Sequence, residues 1–376
     1  MDRGDIASHP QYPECGVYKT KHFTSKGISS RLISKPNHIL FINRGAILQE
    51  FIVGPENRNI VLGFNTAAEY HNNPAHFGAT IGRVANRLKN AELSSLNGTV
   101  WPLTANDGPN TLHGGPVGWG LKDWTGPGLA SKGVDRETVV YKYLSPHMDE
   151  NFPGTVEVEV AYTAYEEPSE EEGVRVTVLE MDYEAKLVGD EVEETAINMT
   201  NHSYFNLSGS ETIADTRAIL TTTDHLPLDS TGIPVSTAIT PYPGLTANQA
   251  FTLGPTEPDV DDCFILNTDP SSIPTDTRSQ PLKTCARFYH PTSKIHLDVL
   301  STDPAFQFYT GKYIDVKARE DGSPARVSRA GFCVEPSRYV NAANVEEWKG
   351  MTVIKKGQVY GSKIVYRAWH GGKEEF

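Results

Sequence analysis

Val156-Glu157-Val158-Glu159-Val160 sets three valines on one side of an extended chain and two glutamates on the other. Side chains of a strand alternate between its faces, so this is the pattern of a half-buried β-strand with one wet face. It returns at Val174, Val176 and Val178, and again at Ile295, Leu297 and Val299. Between the first two runs lies Glu166 to Gly173, with five glutamates, one proline and one glycine. That segment reads as an exposed connection between paired strands, its charge serving solvation.

Turn signals surround these strands: Asn97-Gly98, Asp107-Gly108-Pro109, Ser230-Thr231-Gly232 and Asp321-Gly322. The 32 glycines and 25 prolines are spread along all 376 residues, and the only helical pattern is one short turn over Asn344 to Trp348. This predicts an all-β fold, an antiparallel sandwich or barrel rather than alternating β-α units. Length alone suggests two or three domains, but all-β folds often run longer as one unit. Asp269 to Gln280 is too short for a linker and reads as a surface loop. The organisation predicted is an N-terminal extension over residues 1–25 and one domain over 26–376.

Composition removes several classes. An apolar share of 38% before glycine is counted is ordinary for a globular chain and excludes disorder or collagen. The net charge of −13 offers none of the basic surface that nucleic acid requires. No run of 18 apolar residues suggests a membrane span, and polar Met1 to Pro10 lacks the apolar core of a secretory signal, so the cytoplasm is expected. Cysteines 15, 263, 285 and 333 have no C-x-x-C spacing and read as buried thiols rather than a zinc, redox or disulfide set. His71 and His76, five apart around Asn72-Asn73-Pro74, do not share a helical face, which argues against joint metal ligation. No G-x-S-x-G elbow supports a serine hydrolase.

Polar and aromatic residues crowd into four segments. Phe77 to Leu88 fails the spacing of a phosphate loop and instead presents Asn86 and Arg87 from a strand or turn. Asn106 to Gly115 sets His113 beside two glycines, where backbone can approach a ligand closely; a structural histidine is the competing reading. Thr200-Asn201-His202-Ser203-Tyr204-Phe205-Asn206-Leu207-Ser208-Gly209 holds more polar groups than an ordinary core strand, although His202 could equally be a satisfied core histidine. In Gly331-Phe332-Cys333-Val334-Glu335-Pro336 a glutamate follows an apolar run. Burial would raise its pKa and suit it to proton transfer, whereas a strand-end glutamate in solvent would do nothing.

Taken in order, these segments resemble the aldose 1-epimerases, also called galactose mutarotases. Gly82-Arg83-Val84-Ala85-Asn86-Arg87 is similar to that family's Gly-Arg-x-x-Asn-Arg element, and Leu112-His113-Gly114-Gly115 to its Leu-His-Gly-Gly. Asn201-His202-Ser203-Tyr204-Phe205-Asn206-Leu207 is similar to its Asn-His-x-Tyr-Phe-Asn-Leu. The resemblance runs from about Gly45 to about Trp369. It implies a large antiparallel β-sandwich with a sugar cleft, and anomer interconversion of free aldohexoses such as galactose and glucose without cofactor or metal. It implies Glu335 as general base and His202 as general acid. His113, Arg87 and Asn86 would hold sugar oxygens, with His113 and Arg87 also stabilising charge on the ring oxygen. Asp261 (in preference to Asp262) and Gln307 complete the implied cleft. Trp119, Trp124 and Tyr309 could pack on the sugar's apolar face, buried aromatics being the competing reading.

The chain departs from the family pattern at Ser337 and Arg338, where many members carry Gln two residues after the base, and at Ser293-Lys294 before Asp298. Both changes are expected at the cleft rim. Arg338, close in sequence to Glu335, could meet a phosphate, which leaves a hexose-6-phosphate mutarotase as an alternative. A carbohydrate-binding protein without turnover is the other. A small-molecule sugar partner and a monomer are expected. Three glycosylation-type triplets (Asn198, Asn201, Asn206) crowd the proposed acid, where a glycan would obstruct the site.

Overall fold

The computed structural model describes residues 23–24, 27–33, 38–131, 136–169 and 171–373. The extension expected over 1–25 lies outside the described residues except for the strand Phe23–Thr24. Among the described residues the only helices are short 3-10 turns, and none is long and apolar enough to cross a membrane. Over Asn344 to Trp348, the chain makes a hydrogen-bonded turn flanked by 3-10 turns at Ala342–Asn344 and Lys349–Met351.

Strands Val156–Pro168 and Arg175–Leu187 form the long hairpin that the valine alternation predicts. Val156, Val158 and Val160 are buried and Glu157 is exposed. The hairpin runs further than the glutamate-rich connection suggests. Glu166, Glu167 and Pro168 pair with Thr177, Val176 and Arg175, so the true connection begins at Ser169. The charges explain the extension: Arg175 Nε donates to Glu166 at 2.9 Å and Arg367 Nη2 to Glu167 at 2.6 Å. These glutamates bind cross-strand arginines rather than serving solvation alone.

The hairpin lies inside a nine-stranded antiparallel sheet, next to Val359–His370, Ile295–Ser301 and Lys283–His290. A six-stranded sheet carries Tyr204–Phe205, Phe332–Ser337, Ala305–Tyr309 and Asp261–Ile265 side by side. The two sheets pack face to face. Phe288 of the larger stacks on Phe332 of the smaller with ring centroids 4.2 Å apart, and Tyr366 meets Phe205 edge-on at 5.0 Å. Each such buried ring contributes roughly 1.5–3 kcal/mol. This is the antiparallel sandwich expected.

Period two then decides what the other face of the smaller sheet carries. Phe306, Phe308, Phe332 and Val334 point into the shared core, so Gln307, Tyr309, Cys333 and Glu335 point away from it. Cys263, Cys285 and Cys333 are free and buried, as expected; Cys15 lies outside the described residues.

Candidate active site

Four elements converge above that face. Thr200–His202 pairs with Ala79–Ile81, His202 opposite Ala79. Tyr204 then pairs opposite Cys333, which brings His202 over the strand bearing Glu335. Arg87–Leu88 pairs with Thr111–Leu112 and carries Asn86 and Arg87 to the same place as His113. Two glycines make this docking possible. A Cβ on Gly114, whose φ is +81°, would lie 2.2 Å from the Gly82 carbonyl oxygen, and one on Gly82 would lie 2.0 Å from the Trp119 ring.

The result is a cleft of about 820 Å³, lined by Asn86, Arg87, His113, Asp261, Gln307 and Glu335 together with Tyr204 and Tyr309. His202 is not among the lining residues but stands next to one of them, its Nε2 3.4 Å from Glu335 Oε1. Six of the seven residues singled out in the sequence therefore line one cavity, with His202 in contact with Glu335, and the cavity's size suits a small-molecule site. A chain of hydrogen bonds fixes the polar wall. Asn86 Nδ2 donates to Gln307 Oε1 at 3.1 Å, and Gln307 Nε2 donates to Asp261 Oδ1 at 2.8 Å. Arg87 Nε donates to Asp107 at 2.6 Å. Asp262, by contrast, is held by Tyr242.

The electrostatics follow from burial. Glu335 is 4% exposed, and loss of water, helped by the Asp261 charge, pushes its carboxyl well above the usual range; Arg87 pulls the other way. His202, 5% exposed, is pushed down to about 3 by burial and by His76. His113 is lowered by burial and by its neighbours His202, His76 and Arg87. Both effects oppose charge, so one proton shared between Glu335 and His202 rests on the carboxyl side when the cleft holds only water.

His113, His202 and Glu335 each bring a ligand-type atom within 4.8 Å of the others, a donor set that would suit zinc. The hydrogen bonds disfavour that use. The backbone N–H of Asn86 donates to His113 Nδ1 at 3.3 Å, so the ring proton sits on Nε2. The free nitrogen is thus a donor, suited to a hydroxyl or developing oxyanion rather than to a cation.

Several expectations are corrected. Trp119 and Trp124 are 1% and 2% exposed and pack on Gly82 and on each other, away from the cleft, so only Tyr309 of the three aromatics lines it. Arg338 cannot meet a phosphate. Its side chain is fully buried against Asp303 and the carbonyls of Met351, Thr275 and Gly361. Ser337, Arg338, Ser293 and Lys294 are all absent from the cleft lining, so these departures do not form its rim.

The sequence reading missed His76, Asp107, Tyr313 and the segment Leu228 to Gly232, which also line the cleft. His76 packs 5.1 Å from His113 and 5.7 Å from His202 between ring centroids. Asp107, followed by Gly108 and Pro109, reads as a turn residue; an arginine in need of a partner is the signal that could have found it.

The family model of aldose 1-epimerase matches residues 32–367. A galactose mutarotase from Sus scrofa is 33% identical over 315 residues, covering 80% of this chain and 81% of that protein. The bifunctional protein gal10 of Schizosaccharomyces pombe is 32% identical over 372 residues, 95% of this chain but 48% of that protein. The chain thus spans about half the length of the bifunctional relatives it matches. An aldose epimerase homologue from C. elegans shares the fold with a TM-score of 0.75 at 24% identity, covering 92% of this chain and 100% of that one. With the family match spanning both sheets and every residue of the cleft, the chain belongs to the aldose 1-epimerase family.

Proposed function

We propose that the protein is an isomerase that interconverts the α and β anomers of free aldohexoses such as galactose and glucose. The observation that carries this reading is the buried pair His202–Glu335, 3.4 Å apart, whose glutamate lines a cleft walled by hydroxyl-binding groups. The relatives named galactose mutarotase support it.

Catalysis starts from the ionic form of the pair, which Arg87 and the sugar hydroxyls favour. The Glu335 carboxylate takes the proton of the C1 hydroxyl, and the His202 imidazolium gives its Nε2 proton to the ring oxygen. The C1–O5 electron pair moves to that oxygen and C1 becomes an aldehyde carbon. Rotation about C1–C2 exposes the other carbonyl face. The transfers then reverse, which closes the ring as the other anomer and restores both residues. Each proton transfer is worth roughly 10²–10⁴-fold. The His113 Nε2–H and the Arg87 guanidinium stabilise charge on the ring oxygen. Asn86, Gln307 and Asp261, already locked together, hold the remaining hydroxyls, and half-buried His76 adds a fourth partner.

Charge favours a neutral sugar over a phosphorylated one. Besides Glu335, the lining holds five aspartates (Asp107, Asp229, Asp261, Asp262 and Asp315) and one arginine, Arg87, already paired with Asp107. Free buried thiols fit a reducing compartment such as the cytoplasm. A monomer suffices because one chain supplies the whole cleft wall. We take residues 26–376 as one domain, since the main core draws on residues from Ile39 to Ala368.

The test is polarimetry of freshly dissolved α-D-galactose and α-D-glucose. A decay much faster than the spontaneous one, lost in Glu335→Ala, is expected. No acceleration with any aldohexose would remove the reading, and full activity in Glu335→Ala would remove Glu335 from its role.

A further inference from the structure

His202 meets Glu335 through Nε2, which leaves Nδ1 to be accounted for. That nitrogen lies 3.6 Å from the Sγ of Cys333. Cys333 and Glu335 are two apart in the strand Phe332–Ser337, so their side chains leave the same face. The imidazole of His202 bridges them, one ring nitrogen on each. Cys333 is fully buried, and Tyr204, its direct cross-strand neighbour, also hydrogen-bonds it. The thiol therefore has a fixed position and a defined partner on each side.

We propose that Cys333 is the positioning residue for His202, its sulfur holding Nδ1 so that Nε2 alone exchanges a proton with the sugar. This rests on the reading of His202 as the acid. When the ring is protonated, Nδ1–H donates to Sγ; when Nδ1 is bare, the S–H can donate to it. Burial, with the charges of Glu335 and Asp261, keeps the sulfur a neutral thiol. A thiol suits the task because it orients the ring without an anion that would make imidazolium too stable to act as an acid. The other groups facing the ring are Glu335, His113, His76, Tyr204 and the backbone of His202 itself, with Asp261 and Arg87 acting on Glu335. No carboxylate approaches Nδ1 among the described residues.

The experiment compares Cys333→Val, which keeps volume and loses the hydrogen bond, with Cys333→Ser, which keeps a hydrogen-bonding group. Wild type and His202→Gln are run alongside over a range of pH. In Cys333→Val, kcat should fall roughly tenfold, the scale of one net hydrogen bond, with KM within about twofold. The alkaline limb of kcat should move to lower pH, because imidazolium has lost an acceptor. Cys333→Ser should recover most of kcat and return the limb. Melting temperatures identify any variant that has lost its fold. If Cys333→Val keeps the wild-type kcat and pH profile, or if Ser is no better than Val, Cys333 only packs and the proposal is overturned. If His202→Gln stays active, the acid assignment itself has failed and the proposal falls with it.

Discussion

Glu335 sits where a carboxylate is costly, and that cost ties function to stability. Its pKa is raised in the folded protein, so the native state holds this proton more tightly than the unfolded chain does. The resulting contribution to stability is present at acid pH and is lost as pH rises through the folded pKa. Glu335→Gln removes the charge and nearly keeps the shape. We therefore expect a drop in kcat of roughly 10²–10⁴-fold together with a higher melting temperature at neutral pH. The stability gap should close as pH falls towards the ordinary glutamate range, where both side chains are neutral; thermal melts across pH read this directly. His76 makes a different prediction. It lines the cleft, and its pKa is lowered to about 4 by loss of water, so it offers a neutral imidazole to a sugar hydroxyl. His76→Ala should raise KM by roughly tenfold, one lost hydrogen bond.

At the scale of elements, the strands show what a sequence can and cannot say. Alternation in Phe306-Gln307-Phe308-Tyr309 and in Phe332-Cys333-Val334-Glu335 is enough to divide these side chains between core and cleft. Glu335 was legible only as a glutamate after an apolar run, with a solvent-exposed reading left open, and Gln307 needed the family resemblance. His202 and His113 needed the family resemblance, since their own segments left a structural reading open. Other features depend on which loop meets which. His76, with φ of +57°, reaches the cleft from the turn in which its carbonyl accepts from the Ala79 N–H, and no local periodicity encodes that. Trp119 misleads for the same reason: its aromatic face is consumed by Gly82. The docking of the 82–88 segment on the 111–115 segment can be tested. Gly114→Ala needs a Cβ at a φ of +81° and 2.2 Å from the Gly82 carbonyl oxygen. It should cost roughly 1–3 kcal/mol of stability and lower kcat by displacing His113 from Asn86. Gly98→Ala, at a φ of +73° with open space around it, is the control, expected to leave kcat unchanged. Equal kcat losses in both would deny the docking its special role.

Across the whole molecule, charge is sorted between scaffold and cleft. Arg338 follows Glu335 by three residues, yet its guanidinium turns into the protein and joins Asp303, with further bonds to segments around Thr275, Met351 and Gly361. Arg338→Met leaves Asp303 buried without its countercharge, and a loss of roughly 3–5 kcal/mol is expected in denaturant unfolding. Asp303→Asn in the same chain should recover part of it. This buried use of Arg338 leaves the cleft with five aspartates, besides Glu335, against Arg87 alone, in a chain whose net charge is already −13. A phosphate dianion entering that cleft meets repulsion at short range, where solvent screens poorly, and finds no unpaired arginine among the lining residues. Galactose 6-phosphate and glucose 6-phosphate should therefore inhibit galactose mutarotation at least about tenfold more weakly than glucose does, the equivalent of about 1.4 kcal/mol. Raising the salt concentration should narrow that gap, because screening weakens the repulsion while leaving the hydrogen bonds to a neutral sugar intact. Phosphosugars that compete as well as glucose at low salt would mean that the cleft is not selective by charge, and would return the hexose-6-phosphate reading to first place.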